Sequence, residues 1–414
     1  MISCERTASG GSRHSYFVAV QDRDGEVRRA VLRAEEGSSF SGTRINVAKE
    51  AAVYRALAAT AVPVPAVLGV APGGSALLLE MLPGTSELGE TQEDREATLL
   101  AFIGVLAALH RVDPAGLVLP GFERPRRAED SATLDLQTWV ELGLGVADLD
   151  PLIRYAGAYL VAHPPHETPA TCLVQGDTGP GNFLALDGAI SGLCDMEFAH
   201  IGDPMDDVAW LMMRAAAAVD DLSPFLQEYT RLSGIAIVER NVAYYKIAVQ
   251  YRCAVTTSLA VARGGGARGW PPYLLVTQRY LRGLAAELSN YTGVADPPAD
   301  VPDAPRTERT GWYEALLSGI RAGVRGIADD ELREQLRNHQ ILVHFLREFD
   351  IMGPRLEAMD REDRASTLGV GAVDGAGLGQ LAEAAGRDAD EGVLRYLFRR
   401  RRRQAHLWRT LLDR

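Results

Sequence analysis

The stretch that decides the fold runs from Val174 to Phe183 and reads VQGDTGPGNF. A short apolar strand leads into a polar loop in which Asp177 and Asn182 stand five residues apart. A hairpin follows, and the next apolar strand, Ile190 to Cys194, ends at Asp195. The pattern therefore predicts strand, polar loop, hairpin and strand, with polar side chains placed where the strands end.

The three polar residues Asp177, Asn182 and Asp195 match the requirements of phosphoryl transfer from ATP. One carboxylate orients an acceptor hydroxyl, while an amide oxygen and a second carboxylate hold Mg²⁺. Kinase catalytic loops place these groups at this spacing. Asp177 could instead be a turn residue that bonds its own backbone, and Asn182 could cap a strand. Because Asp177, Asn182 and Asp195 occur together at the spacing of a kinase catalytic loop, the catalytic interpretation is favoured.

These motifs, joined in order, resemble those of the aminoglycoside phosphotransferase/choline kinase-like family. Within it, the chain is similar to a bacterial branch that resembles the kinase-like part of acyl-CoA dehydrogenase fusions. The resemblance covers about residues 5–290 and includes the Gly-Asp-Pro-x-x-Asp pattern at 202–207. It implies an α+β, bilobal protein-kinase-like fold, with Asp177 as the catalytic base and Asn182 and Asp195 as Mg²⁺ ligands.

The resemblance also implies an ATP site in the N-terminal part. Arg33 stands where kinases usually have a strand-borne Lys that pairs with phosphates and with a helix Glu, here Glu50. Arginine is permanently charged and can bind phosphate through two parallel bonds, although both residues could also be surface charges. The resemblance further implies a nucleotide-covering loop, for which an ordinary turn is the alternative, and an adenine-binding hinge, for which a strand end is the alternative. The loop residues are Ser9, Gly10, Gly11 and Ser12, and the hinge residues are Glu80 and Leu82.

Neighbouring residues are expected to support this site. Gln175 stands where the family commonly has His, and its amide can donate and accept similar hydrogen bonds. Asp203 before Pro204 predicts a helix N-cap, and Asp207 belongs to the same structural pattern. Glu197 could join the metal shell or contact substrate, but an exposed structural role is an equal alternative.

The hydrophobic pattern predicts a small sheet with one helix, followed by a larger helical part. We expect a kinase-like N-lobe at 1–82, a helical C-lobe at 83–293 that carries the catalytic loops, and a linker at 294–306. A C-terminal all-α domain would then occupy 307–414. The expected elements of the N-lobe are strands at 15–20, 28–33, 66–71 and 75–82 and a helix at 44–59. The expected C-lobe helices are 92–112, 133–145, 149–162, 204–217, 222–233, 238–262 and 271–290.

Composition narrows the class of protein. The chain has 414 residues and a net charge of −12, which argues against general nucleic-acid binding. No apolar run approaches the ~18 residues of a membrane span, and the first residues lack a signal-peptide pattern. Four widely spaced cysteines indicate reduced core thiols, so we expect a cytoplasmic protein without membrane contact. The basic run Arg399–Arg403 is interpreted as a solvated helix face that could dock on the acidic kinase part.

Together these features predict an ATP- and Mg²⁺-dependent kinase acting on a hydroxyl of a small molecule. The branch resemblance favours a hydroxyacyl-type metabolite over an aminoglycoside-like acceptor. The rival hypothesis is a catalytically silent nucleotide-binding scaffold whose C-terminal helices recruit a partner or a second copy. Gln175, Arg33 and the additional helical domain motivate that alternative.

Overall fold

The computed structural model describes residues 2–6, 13–21, 25–35, 40, 42–264, 270–298, 301, 303, 306–369 and 375–412. Its contacts form two compact units. The first contains residues 1–138 and 164–249, and the second contains residues 139–163 and 250–414. The domains expected at 1–82, 83–293 and 307–414 follow another division of the chain, which stays a prediction.

The first unit begins with a five-stranded antiparallel sheet in the order β1-β2-β3-β5-β4. Its strands are β1 (Ser3–Arg6), β2 (His14–Gln21), β3 (Val27–Ala34), β4 (Val67–Val70) and β5 (Ala76–Glu80). The sequence pattern indicates four of these strands and misses β1. That strand is four residues long and exposed throughout, so it lacks the alternation of apolar and polar residues that identifies a half-buried strand.

Helix α1 (Val47–Leu57) follows the third strand. It begins three residues later than predicted because Asn46 is its N-cap, with Oδ1 accepting from the backbone N–H groups of Ala48 and Lys49 at 3.1 Å each. Its Glu50 side chain is fully buried and reaches Arg33 on β3. The helix is thereby tied to the sheet by a buried ion pair.

Two short antiparallel strand pairs, one of them a hairpin, carry the decisive stretch. The strands are β6 (Cys172–Val174), β7 (Phe183–Leu186), β8 (Ala189–Leu193) and β9 (His200–Gly202). Strand β6 pairs with β9, and β7 pairs with β8, both antiparallel. Since Phe183 lies opposite Leu193, Asn182 and Cys194 are also neighbours, and Cys194 N donates to Asn182 O at 2.9 Å. The register places the polar loop after β6 beside the end of β8.

Helices complete the first unit. They are α2 (Gln92–His110), α5 (Met205–Ala215) and α6 (Ser223–Ser233), together with the first parts of α3 (Asp130–Leu144) and α7 (Glu239–Ala262). Phe102 of α2 stacks on Phe183 of β7, with ring centroids 4.4 Å apart and both rings buried. Helix α2 thus supports the hairpin from its apolar side.

The second unit is built from helices. Besides the remainders of α3 and α7, they are α4 (Pro151–Ala162), α8 (Pro271–Thr292), α9 (Thr310–Arg325), α10 (Asp330–Leu368), α11 (Gly375–Arg387), α12 (Glu391–His406) and α13 (Arg409–Leu412). Helices α11 and α12 pack on α4. The approach of α11 is close, because a Cβ at Gly386 would lie 2.3 Å from Tyr155 O.

The interpretation of Arg399–Arg403 as a solvated basic face is wrong. Arg401 and Arg403 are buried, and all five guanidinium groups lie beside aspartates of the second unit. The pairs are Arg399–Asp363, Arg400–Asp150, Arg401–Asp296, Arg402–Asp296, Arg403–Asp360 and Arg403–Asp363. We call this set the arginine ladder. The helical periodicity of a sequence indicates which residues share a helix face, but it does not indicate ion-pair partners more than thirty residues away.

The expected fold class is confirmed: an antiparallel sheet forms the N-terminal lobe, helices dominate the remainder, and the C-terminal region is helical. None of the described helices combines the length and apolar character that spanning a membrane requires. All four cysteines are free thiols.

Candidate active site

The loop between β6 and β7 positions Asp177. Asn182 Nδ2 donates to Asp177 Oδ2 at 2.6 Å and to Asp177 O at 2.7 Å, which closes the loop on itself. Gly176 has φ +83°, and a Cβ there would lie 2.5 Å from Phe198 O. Only glycine fits this position, since other residues disfavour that φ and the space is filled. The loop therefore holds Asp177 and Asn182 in fixed mutual contact.

Gln175 is fully buried and ties this loop to the hairpin. Its Nε2 donates to Cys194 O at 2.9 Å and to Asn182 O at 3.3 Å. Its Oε1 accepts from the hydroxyl of Thr178 at 3.2 Å. The amide thus donates and accepts as expected from its chemistry, and it orients the loop through neutral bonds.

The start of α5 anchors the same loop. Asp207 Oδ2 accepts from Gln175 N at 2.8 Å, and its Oδ1 accepts from Gly176 N at 2.9 Å. His110 Nε2 lies 3.0 Å from the same carboxylate. Asp203 Oδ1 accepts from the first N–H of α5 at 2.9 Å, so it caps the helix as predicted. These carboxylates support loop geometry and lie inside the protein.

Asp195 lies directly after β8 in the left-handed region, with φ +56°. Such a conformation is unusual for a residue other than glycine and is found most often for Asn and Asp. Its Oδ1 accepts from Arg33 Nη2 at 2.7 Å. Burial alone would raise the pKa of Asp195, but the Arg33 guanidinium outweighs it and lowers that pKa. The carboxylate is therefore held in its charged form.

The predicted pair of Arg33 and Glu50 is formed, with Nη1 and Oε1 2.7 Å apart. Arg33 Nη2 also lies 3.3 Å from Glu197 Oε2, and the hydroxyl of Tyr54 donates to Glu50 Oε1 at 3.2 Å. Glu197 is buried, which contradicts an exposed role for it. Burial and the neighbouring Asp195 raise the pKa of Glu197 to about 7.

Arg13 is a member of this network that sequence reasoning missed. Only 4% of its surface is exposed, and its Nη1 lies 3.1 Å from both Glu50 Oε2 and Glu197 Oε2. It directly follows the predicted nucleotide-covering loop Ser9–Ser12, which lies outside the described residues. No motif marks Arg13, because its partners are distant in sequence.

Arg214 is the second residue that was missed. Its Nη1 donates to Asp177 Oδ1 at 2.5 Å, while Nε and Nη2 donate to Pro180 O at 3.1 and 2.7 Å. Burial raises the pKa of Asp177 to about 6; Arg214 opposes that rise and Asp195 adds to it. Helical periodicity could have indicated Arg214, because it lies seven residues after Asp207 and thus on the same face of α5.

The hinge residues Glu80 and Leu82 lie at the end of the sheet. Glu80 closes β5, with its N–H donating to Ala66 O at 2.9 Å. Leu82 packs on the catalytic hairpin, because a Cβ at Gly192 would lie only 2.1 Å from Leu82 Cδ1. The hinge segment is therefore in contact with β8, the strand that leads to Asp195.

The structure brings Asp177, Asn182 and Asp195 together. The first two are hydrogen-bonded, and Asp195 acts electrostatically on the pKa of Asp177. Arg33 joins Asp195 to Glu50. Glu80 and Leu82 lie on the adjoining hinge instead, without a described bond to these side chains.

The donor set fits a shared Mg²⁺. Asn182 Oδ1 and Asp195 Oδ2 accept no hydrogen bond from the described residues. Within the same part of the chain, no cluster of three or more His, Cys, Asp or Glu side chains could hold a metal. Mg²⁺ bound with nucleotide commonly uses one or two carboxylates and takes its remaining ligands from phosphates and water. One amide and one carboxylate oxygen suit that mode.

Comparisons with known proteins show to which family this chain belongs and which fold it shares. The model of the phosphotransferase enzyme family matches residues 3–245. Acyl-CoA dehydrogenase family member 10 of Mus musculus is 28% identical over 254 residues, which is 57% of this chain and 23% of the mouse protein. The chain therefore spans about a quarter of the length of that relative.

A solved structure from Ralstonia eutropha, described as a candidate aminoglycoside phosphotransferase, is similar with a TM-score of 0.54 and 20% identity. The match covers 71% of this chain and 93% of that one, and it shows the shared fold. The family model covers more than half of the present chain. The chain therefore belongs to the phosphotransferase enzyme family, whose members are kinases with an alcohol group as acceptor.

Proposed function

We propose that this kinase transfers the γ-phosphate of ATP, with Mg²⁺, to a hydroxyl of a hydroxyacyl-type metabolite. The observation that carries the proposal is the convergence of Asp177, Asn182 and Asp195, in which two oxygens remain unengaged by the described residues. Similarity to a relative named for acyl-CoA dehydrogenation favours this acceptor over an aminoglycoside-like one.

Asp177 would orient the acceptor hydroxyl and take its proton. Its two oxygens already accept from Arg214 and Asn182, but a carboxylate offers about four lone-pair sites, so a hydroxyl can still donate to it. The loop bonds that fix Asp177 would keep the hydroxyl in one direction. Such positioning and charge stabilisation dominate phosphoryl transfer, where little covalent work falls to the protein.

Asn182 and Asp195 would hold Mg²⁺, whose chemistry when bound is to neutralise charge on the phosphates. Arg33 and Glu50 would support the nucleotide from the sheet side of the same site, where Arg33 already contacts Asp195. The predicted adenine contacts at Glu80 and Leu82 and the loop Ser9–Ser12 belong to this proposal. Cytoplasmic location and partner contact through the C-terminal helices stay predictions.

The test compares Asp177→Asn with the parent in ATP hydrolysis and in phosphotransfer to a metabolite panel. A general base contributes typically 10²–10⁴-fold, so we expect a loss of about that size. Asp187→Asn is the matched control, because Asp187 is exposed in the turn between β7 and β8. A parent that binds Mg-ATP yet is as inactive as Asp177→Asn would favour the silent scaffold instead.

A further inference from the structure

Helix α5 holds the catalytic loop at two points. Asp207 in its first turn bonds the backbone at the start of the loop, and Arg214 in its last turn bonds Asp177 and Pro180. Seven residues of helix advance by about 10 Å, which matches two turns on one face. Gly179 leaves room for this contact, since a Cβ there would lie 3.0 Å from Arg214 Cβ.

The guanidinium of Arg214 retains binding capacity. It has five N–H groups, and three of them are used by Asp177 Oδ1 and, twice, by Pro180 O. Nη1 and Nη2 each keep one N–H without an acceptor among the residues that the structure describes. A quarter of the side chain, 25%, is exposed. A cationic fork beside the proposed base therefore remains open to a ligand.

The carboxylates that precede and begin α5 are turned inward, whereas Asp220 and Asp221, after the helix, are exposed. Asp203, Asp206 and Asp207 are fully buried or nearly so. Asp203 accepts from Asn241, Asp206 pairs with His200, and Asp207 holds the loop. The first turn of α5 thus presents no carboxylate to solvent, whereas its last turn presents a permanent cation.

From this arrangement we infer that the acceptor carries an anionic group, a carboxylate or a phosphate, and that Arg214 binds this group and selects for it. The inference rests on the proposed function, because it takes Asp177 as the residue that receives the acceptor hydroxyl. A guanidinium matches the planar geometry of a carboxylate or phosphate through two parallel bonds. Polycationic acceptors are disfavoured, since Arg214 would meet a like charge beside the reacting hydroxyl.

The test uses acceptors that share one carbon skeleton and differ in charge. They are 4-hydroxybutyrate, 4-hydroxybutyl phosphate, 4-hydroxybutyramide and 4-amino-1-butanol, assayed with Mg-ATP. We expect transfer to the carboxylate or the phosphate ester, and little to the amino alcohol. The carboxylate and the phosphate ester distinguish the two sources of negative charge.

Arg214→Gln should raise KM for the anionic acceptor by about 10- to 100-fold, the range for loss of a charge-assisted pair. Because Arg214 also bonds Asp177, kcat should fall for every acceptor, so the readout is the ratio of kcat/KM for the anionic acceptor to that for the neutral amide. That ratio should fall by about 10- to 100-fold in Arg214→Gln, and Arg214→Lys should recover part of it because it retains the charge. Arg231→Gln is the matched control, since Arg231 is exposed on α6 and, among the residues that the structure describes, pairs with Glu228 alone.

A binding measurement completes the test without turnover. The anionic acceptor should stabilise the parent in a thermal-shift assay with a non-hydrolysable ATP analogue, and Arg214→Gln should lose that shift while its own melting remains cooperative. If Arg214→Gln melts without cooperativity, Arg214→Lys decides instead: the inference holds if it keeps part of the shift and fails if it keeps none.

Several results would overturn the inference. These are preference for the amino alcohol, an unchanged ratio of kcat/KM between anionic and neutral acceptors in Arg214→Gln, or no transfer to any of the four. The proposed function is judged separately, by Mg-ATP hydrolysis that Asp177→Asn removes. A hydrolysing parent that ignores all four acceptors would therefore refute the role of Arg214 and leave the proposed kinase chemistry standing.

Discussion

Two regions of the molecule use the same ion-pair chemistry to different ends. In the candidate active site Arg13, Arg33 and Arg214 pair with five carboxylates, and in the arginine ladder of α12 five arginines pair with four aspartates. The ladder saturates its acceptors: both carboxylate oxygens of Asp363 take guanidinium N–H groups. In the site, Asp195 Oδ2 takes none from the described residues.

The backbone differs as well. The arginines of the ladder lie on α12 and two of its four aspartates lie on α10, both regular helices, whereas the site lies on loops in which Gly176 and Asp195 adopt positive φ. Ion pairs that join helices gain by engaging every oxygen, because an unpaired buried charge is costly. A site that receives a ligand must keep acceptors in reserve. Saturation of the carboxylate therefore distinguishes the two uses better than burial or charge does.

The largest effect should come from the unsaturated carboxylate. Asp195→Asn keeps the shape but removes a charge proposed to bind Mg²⁺, so kcat/KM should fall by about 100-fold or more at limiting Mg²⁺. The unfolding midpoint should change little, because Glu50 and Glu197 still pair with Arg33. If kcat/KM of Asp195→Asn depended on Mg²⁺ concentration as it does in the parent, the contrast between unsaturated and saturated carboxylates would be wrong.

A saturated carboxylate close to the site gives the next effect. Asp207→Asn retains one acceptor oxygen where the carboxylate engages Gln175 N, Gly176 N and His110. A buried N–H is then left unsatisfied, so the free energy of unfolding should fall by about 2–3 kcal/mol in urea titrations. Asp187→Asn, on the exposed turn, should leave stability unchanged. If Asp207→Asn kept full stability but lost activity, the position of a carboxylate near the site, and not the saturation of its oxygens, would determine the effect of its substitution.

In the ladder the corresponding change is smaller. Asp363→Asn weakens the bonds to Arg399 and Arg403 and should lower the free energy of unfolding by about 1–2 kcal/mol, with kcat/KM unaltered. Asp388→Asn is the control, because Asp388 is exposed and forms no ion pair with the described residues. A loss of activity in Asp363→Asn at full stability would mean that the ladder is more than structural.

The smallest effect is a pH dependence. Burial alone would raise the pKa of Asp363, but hydrogen bonds from Arg399 and Arg403 lower it overall. A lowered folded-state pKa gives stability that is present above the unfolded value of about 4 and lost as pH falls through the folded value. The difference in unfolding free energy between parent and Asp363→Asn should thus vanish in acid. A difference that persists at pH 3 would contradict this assignment.

The sequence was sufficient for the parts of the site that local patterns encode. The spacing of Asp177, Asn182 and Asp195 and the Asp203 cap follow from short-range geometry, and so do most helices. Arg13 depends on contacts between distant segments, which no spacing expresses. The seven-residue spacing from Asp207 places Arg214 on the same face of α5 but does not show that it contacts Asp177. The roles assigned to Asp177, Asn182 and Asp195 stay predictions until the variants are measured.

The ladder shows the same limit from the opposite side. Five consecutive arginines suggest a surface, because isolated charges are rarely buried. Their aspartate partners lie on α10, before α4 and after α8, and only the folded chain brings them into reach. Charge runs are therefore poorly interpreted when the opposite charges elsewhere in the chain cannot be placed.

The packing of α11 and α12 on α4 has a practical consequence for protein production. This helix falls inside the family-matched span, yet its buried face, which includes Ile153 and Tyr155, packs on α11 and α12 far downstream. A truncated protein that ends after the family-matched span would expose this apolar face to solvent and would therefore be prone to aggregate. Expression of residues 3–245 alone should accordingly yield inclusion bodies, whereas expression of residues 1–414 should not.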